Sequence, residues 1–408
     1  MTDQPKLKRS ISLPLLIAYG VGTMVGGGFY ALIGRMAGHA GMHVPMSVIV
    51  AAVIAMFTAL SFCELSSRFP VSAGESRYVD EAFGRKWLST LVGWGVIATG
   101  VVSAATLSRA FVHFWQDLFP ATPTAVGIAL LVIVLTGIAL YGILESVLLA
   151  GLITLIEVGG LIWVIVSRYE AFGTFGDRLP ELMPAFAWHD WSGIFIAAFL
   201  AFYAFIGFED MVNEAEEVKE PRRNLPRGIL LALLITTVLY VVIALVAVLA
   251  VTPQELSESN TPLALLVADQ GEAARVMMVV ISMLAGVNGA LVQIVMSSRV
   301  AYGLADQGMA PSFLGVVHPR FRTPIAATLL MSTIVLVLAL WLPVELLARI
   351  TSAIMLVNFT LVNGALVWLK IRQVEAPEGS VQYPIIVPIL GALMCAAFLG
   401  IQLLAPPG

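Results

Sequence analysis

The sequence predicts an all-α membrane protein of about eleven transmembrane helices, ten of them in a 5+5 inverted-repeat core with broken helices 1 and 6, plus one extra C-terminal helix. Three observations carry this expectation. The 408 residues are 59% hydrophobic and only 12% charged, with a mean hydropathy of +0.94, far outside the range of a soluble globular domain. Eleven apolar stretches approach the roughly 17 to 25 residues needed to cross ~30 Å of hydrocarbon. The first and the sixth are interrupted at membrane depth, and two interrupted segments in corresponding positions of two halves point to an inverted repeat with a site at the midplane.

In chain order, residues 1–12 (MTDQPKLKRSIS) are polar and basic and run into apolar sequence without a small-residue cleavage site. They are expected to form a retained cytoplasmic segment. The spans are 13–37, 43–66, 88–117, 122–142, 147–168, 192–218, 226–251, 272–305, 324–342, 346–370 and 383–404, the third and eighth long enough to tilt. Residues 13–168 form the first repeat (helices 1–5), 169–191 an external connection, 192–372 the second repeat (helices 6–10), and 373–408 a loop, helix 11 and an external C-terminus. With the N-terminus inside, 16 of the 22 Lys and Arg fall on the cytoplasmic side. The set includes Lys6, Lys8, Arg9, Arg68, Arg299, Arg320, Arg322 and Lys370, while Arg35, Arg109, Arg168, Arg178, Arg275 and Arg349 lie towards the outside. That asymmetry follows the positive-inside rule, and the chain is expected to be integral to a cell (inner or plasma) membrane.

The first break lies in YGVGTMVGGGFYALIG, Tyr19 to Gly34, which carries six glycines, three of them consecutive at Gly26, Gly27 and Gly28. Each glycine costs about 0.8–1.0 kcal/mol against alanine in a helix interior. Glycines also let membrane helices approach closely, but here a second interruption matches the first. In FIAAFLAFYAFIGFEDMVNEAEEVKEPRRNLP the helix reaches Gly207 and meets Glu209 and Asp210 within one helix length of its start. Restarting the helix just before Glu209 softens the cost of acidic groups, which are favoured at a helix N-terminus. Backbone freed inside a membrane is tolerated only where it is buried in protein or lines a cavity. The amides opening an outer half-helix suit a carboxylate, and freed carbonyls suit an ammonium.

The opening GVGTMVGGGFYALIG resembles the first-helix motif of the amino acid/polyamine/organocation superfamily of transporters. ELSSRFPVSAGESRYVDEAFG is similar to that family's first cytoplasmic loop, FYAFIGFEDMVNEAEEVKEPRRNLP to its sixth helix, SSRVAYGLADQGMAP to the end of its eighth, and LVNFTLVNGALVWLKIR to its tenth. The matches run in order from Leu13 to Arg372. The resemblance implies an inverted-repeat carrier working by alternating access on an amino acid. A polyamine or other organic amine, or amino acid exchange, is the alternative. By position it implies a substrate carboxylate at Gly27 and Gly28 and an ammonium at the carbonyls of Met24, Tyr203 and Ile206, beside Gly26. Gly27 stands where many relatives have serine, so the carboxylate would rest on backbone donors alone and Gly27→Ser should preserve transport with altered affinity. Phe29, Phe202, Tyr203 and Phe205 would line the side-chain pocket or serve in packing.

Glu157 lies deep in LLAGLITLIEVGGLIWVIV, too far from either end to reach water. An intramembrane carboxyl is a functional candidate by default, and its charge is costly there, which suits a group that takes and releases a proton. In proton-coupled relatives the matching position is commonly lysine; here the sign is reversed. Glu157 is the expected proton-coupling residue, the alternatives being a structural neutral acid or a cation ligand. Ser282, Asn288 and Gln293 are its available partners. The coupling ion is expected to be a proton ahead of sodium. Glu209 is expected to organise the second part of helix 6 at the Gly207 break. Glu64 and Arg68, with Glu216, Glu217, Arg222 and Arg223, are either a cytoplasmic gate or solvated charges; Arg109 either gates the external vestibule or, as the favoured reading, snorkels to the interface, and Asn358 and Asn363 are interhelical hydrogen-bonding groups.

Other classes fit poorly. No HExxH, nucleophile elbow or nucleotide-binding loop occurs, so neither an enzyme nor an ATP-driven pump is expected. Cys63 and Cys395 lie in apolar runs, which argues against a disulfide framework or metal cluster. The net charge of -4 gives no reason to expect nucleic acid. No cofactor or metal is expected; the partners are the small-molecule substrate, the proton and the lipid bilayer. A transporter-like sensor or channel would share the fold without driven accumulation.

Overall fold

In the computed structural model residues 9, 11–71, 74–141, 146–318 and 323–404 are described; Lys6, Lys8, Arg320 and Arg322 lie outside them. The helices in order are α1 (Leu13–Val25), α2 (Gly27–Ala40), α3 (Val44–Arg68), α4 (Gly74–Phe83), α5 (Lys86–Leu118), α6 (Thr124–Tyr141), α7 (Ser146–Ser167) and α8 (Phe175–Leu182). They continue with α9 (Trp188–Phe205), α10 (Pro221–Ala250), α11 (Pro253–Glu258), α12 (Pro262–Leu265), α13 (Glu272–Asp306), α14 (Ile325–Trp341), α15 (Val344–Ile371) and α16 (Ile386–Leu404). Among the described residues seven helical stretches are long and apolar enough to cross a membrane, and four shorter apolar helices accompany them. The difference from eleven equal spans has a local cause. α1 is short because the first span is broken after Val25, and α2 and α3 run together through a single 3-10 turn, Gly41–His43.

α5 and α13, at 33 and 35 residues, pack along each other. At 1.5 Å per residue each is about 50 Å long, well beyond ~30 Å of hydrocarbon, so they tilt or protrude. α1 lies against α7 and α10, α2 against α9 and α13, and α3 against α9 and α10. Both halves of the first broken span are thus enclosed by protein, as unpaired backbone at membrane depth requires. One apolar cluster is drawn mainly from α1–α4, α9, α10, α15 and α16, and a second from α5, α6, α13 and α14.

One end of the bundle gathers several connections. Ile11 pairs with the segment that follows the second break: its amide donates to Glu217 O (3.0 Å) and its carbonyl accepts from Lys219 N (2.9 Å). At the same end Glu64 Oε1 receives Arg68 (2.7 Å) and Lys370 (2.6 Å), while Glu64 Oε2 accepts from the amide of Tyr383 (2.9 Å). This ties α3 to α15 and to the approach of α16. Glu64 is fully buried, so the two cations and the amide together offset the desolvation of its charge.

Candidate functional site

The first break is a single residue. α1 ends at Val25, Gly26 turns extended (φ -47°, ψ 177°), and α2 starts at Gly27. An extended ψ ends the i→i-4 ladder, so the first amides of α2 have no carbonyl one turn back. Among the described residues no side chain at the N-cap position caps them. A Cβ on Gly26 would meet nothing nearer than the Thr23 carbonyl at 4.0 Å, leaving room beside the break. Gly27 and Gly28 are instead filled against. A Cβ on Gly27 would lie 2.9 Å from the Gly286 backbone of α13, and one on Gly28 would lie 2.7 Å from the Tyr203 ring.

The second break starts where α9 ends at Phe205. Ile206 is extended (ψ 131°), and Gly207 sits at φ 131°, a conformation that only glycine adopts without strain. The chain resumes as a short 3-10 segment, Glu209–Glu214, rather than as the α-helix the sequence suggests. Glu209 reaches back so that its Oε2 accepts from the Gly207 amide (2.8 Å), stabilising the turn locally. The two breaks touch. Thr23 Oγ1 lies 2.9 Å from Gly207 O and 3.0 Å from Gly20 O, its single proton shared between the two carbonyls, and a Cβ on Gly207 would meet the Thr23 carbonyl at 2.8 Å.

Tyr240, on α10, is the residue that sequence reasoning missed. Its hydroxyl lies 2.7 Å from Met24 O and 3.2 Å from Ala204 O, spanning both breaks. The Met24 carbonyl assigned to an ammonium is therefore already engaged in this conformation, keeping at most its second lone pair. The Phe29 ring stacks on Tyr240 (4.0 Å, 7°), and Phe205 meets it edge-on (5.4 Å). The one available signal was a lone polar aromatic in the apolar run LLALLITTVLYVVIALV.

The remaining candidates divide. Tyr203 lies over Gly28 with its hydroxyl 2.9 Å from Ser103 Oγ of α5. Its carbonyl accepts from the Ile206 amide (3.2 Å). Phe202 faces Phe359 and Phe398 in the packing between α9, α15 and α16. Glu157, on α7, is wholly buried; Asn288 of α13 donates to its Oε1 at 3.3 Å, and its Oε2 has no partner among the described residues. The Tyr30 hydroxyl of α2 donates to the Glu157 carbonyl (2.6 Å), and Tyr240 lies within electrostatic reach of the carboxyl. Of the three polar neighbours on α13, Asn288 meets it, whereas Ser282 bonds its own helix at Met278 O.

The peripheral polar groups have structural partners. Glu64 and Arg68 join Lys370 rather than Arg222 or Arg223, which contact Glu378 O and Glu220. Arg109 donates to Ala339 O (2.7 Å) at the end of α14. Asn363 joins α15 to Ser61 and Thr58 of α3. Asn358 lies against Gly95 of α5, its Nδ2 without a partner among the described residues. Cys63 and Cys395 are free thiols.

The fold and its centre define a class: a polytopic helical integral membrane protein in which two interrupted helices meet beside a buried carboxyl. The profile of the amino acid permease family matches residues 11–408, and the chain belongs to that family, within the amino acid/polyamine/organocation superfamily. It is 30% identical over 398 residues to the cationic amino acid transporter 3, mitochondrial, of Arabidopsis thaliana, covering 91% of this chain and 64% of that one. It is 25% identical over 398 residues to the branched-chain amino acid permease BcaP of Bacillus subtilis (92% and 84% covered). To the methylthioribose transporter of the same organism it is 25% identical over 415 residues (96% and 88%). The chain spans less than two thirds of the length of the Arabidopsis transporters it matches.

Proposed function

We propose that this protein is a secondary transporter that moves an amino acid by alternating access, coupled to protons through Glu157. The observation that carries the reading is the direct junction of the two breaks, Thr23 Oγ1 to Gly207 O at 2.9 Å, beside the uncapped start of α2. Amides at Gly27 and Gly28, aided by the positive end of the α2 dipole, would hold the substrate carboxylate. The ammonium would take the carbonyls at the ends of α1 and α9, displacing or sharing the Tyr240 hydroxyl. Tyr203, over Gly28, would move to admit the substrate and close on it. The inner face is the end carrying Ile11, Arg68 and Lys370, a placement the charge asymmetry favours.

Glu157 supports proton coupling because a buried carboxyl with one long hydrogen bond, and one oxygen without a partner among the described residues, is most stable as the neutral acid and needs hydration to ionise. Neutral amino acids suit the site best: the Glu209 carboxyl is turned back onto the Gly207 amide, Glu157 is engaged by Asn288, and the other polar groups named at the junction are amides, carbonyls and hydroxyls. A cationic substrate is the second reading, favoured by the relative named a cationic amino acid transporter. Uptake of leucine and of arginine into proteoliposomes under separate proton and sodium gradients tests both points. Proton-driven leucine accumulation is expected; accumulation driven by sodium alone would refute the coupling.

A further inference from the structure

Outside the central site, the strongest unexplained feature is Glu75, on α4 at the end of the bundle that carries Arg68 and Lys370. Its side chain is only 4% exposed, and among the described residues neither carboxylate oxygen has a hydrogen-bond partner. Tyr78, one turn later on α4, is wholly buried, its hydroxyl is likewise unpartnered among the described residues, and it lies within electrostatic reach of Glu75. Facing them from the 3-10 segment after the second break are Asp210 and Glu209. The approach is close: a Cβ on Gly74, the first residue of α4, would lie 2.9 Å from Asn213 Oδ1 and 3.0 Å from Val212.

The described surroundings offer Glu75 no counter-charge. From α3 come Cys63, whose thiol donates to Pro226 O, and the Glu64–Arg68 pair; from α15 come Lys370, held by Glu64 and Tyr383 O, and Arg372, stacked over Trp368. On α4 itself Arg77 pairs with Glu81, and Asp80 accepts from Ser89 of α5, whose Lys86 is exposed. Beyond the 3-10 segment's first turn, Glu214 has Glu217 and Arg299 as electrostatic neighbours. A carboxylate buried without partners costs several kcal/mol, and such a group takes a proton instead.

We propose that Glu75 is a proton-operated latch on this mouth of the transporter. Neutral, it lets α4 seat on the segment after the second break; ionised, it has to reach water, and α4 is released with it. The proposal rests on the transporter reading for its purpose, linking proton occupancy on one face to opening there, but its physics concerns only α4. Burial, then the Asp210 charge, pushes the Glu75 carboxyl up to about 8. The sign follows: a group that binds its proton more tightly in the closed form favours that form below its ordinary range near 4.5, and the advantage is lost as pH rises towards 8. Opening on this face is therefore favoured at alkaline pH.

Cys63 is a built-in reporter, buried on α3 beside Tyr78. The test uses the full chain with Cys395→Ser and compares N-ethylmaleimide labelling of Cys63 with and without Glu75→Gln. At any one pH the intrinsic thiol reactivity is common to both and cancels in the ratio. The labelling ratio, protein with Glu75 intact over protein carrying E75Q, is expected to rise by up to about tenfold per pH unit between pH 6 and pH 8 and to level off above that, since the equilibrium shifts only between the ordinary carboxyl value near 4.5 and the raised value of about 8. The melting temperature of the protein with Glu75 intact should also fall relative to E75Q over that interval. A labelling ratio and a melting difference that both stay constant with pH overturn the latch. Neither readout requires transport, so failure of amino acid uptake would bear on the transporter reading alone.

Discussion

Tyr240 closes carbonyls of both broken spans with one hydroxyl, and this gives the residue scale its first test. Tyr240→Phe keeps the ring stacked on Phe29 but loses the single hydroxyl proton that Met24 O and Ala204 O share. At about 1 kcal/mol net per hydrogen bond, with more for a carbonyl left unsatisfied, a loss of about 1–3 kcal/mol is expected in detergent unfolding. Gly27 gives the second. Sequence alone tolerates Gly27→Ser, but the Gly286 backbone sits 2.9 Å from where its Cβ would go. Backbone cannot rotate aside as a side chain can, so overpacking of about 1–3 kcal/mol is expected. It should appear as a lower melting temperature before any change in affinity. Glu157 was legible because a carboxyl surrounded by apolar residues stands out in one dimension. Tyr240 was not, because only the fold brings α10 against both interruptions.

At the scale of elements, the helices were legible because bilayer thickness sets their length and composition marks their extent. The interruption at Gly26 was legible because three glycines come together. Two features were not. α4 lies in what reads as a loop, yet Tyr78, Val79 and Ala82 recur at helical spacing and are buried; ten residues are too few for that pattern to stand out against the long spans. The stretch after Gly207 reads as helix but is a 3-10 segment, with the Glu209 side chain bonded back to the Gly207 amide at its start. Gly207 itself is the element-scale test. Gly207→Ala would place a Cβ 2.8 Å from the Thr23 carbonyl at φ 131°, and such a backbone costs about 1–3 kcal/mol even with space available. Separation of the two breaks is expected, read as loss of the thermal shift that leucine is expected to give the unaltered protein. An unchanged shift would show that the contact between the breaks is dispensable for binding.

At the scale of the whole molecule, two broken spans, a buried carboxyl between α7 and α13, and the proposed latch at Glu75 on α4 are the groups on which the account turns. Neither break explains much alone: each exposes backbone that protein must enclose. In the proposed reading they would together supply donors and acceptors for a zwitterion at one point. The five-helix offset between them was readable from sequence spacing; their contact through Thr23 was not, since it depends on how α1 and α9 cross. The coupling claim is tested most directly by Glu157→Gln, which mimics the neutral acid and keeps a partner for Asn288. In proteoliposomes, leucine uptake is measured in two modes: driven by an inward proton gradient, and by exchange against internal leucine at equal pH on both sides. Retained exchange with proton-driven accumulation reduced to the equilibrium ratio is the expected result. Accumulation by Glu157→Gln equal to that of the unaltered protein would contradict coupling through Glu157.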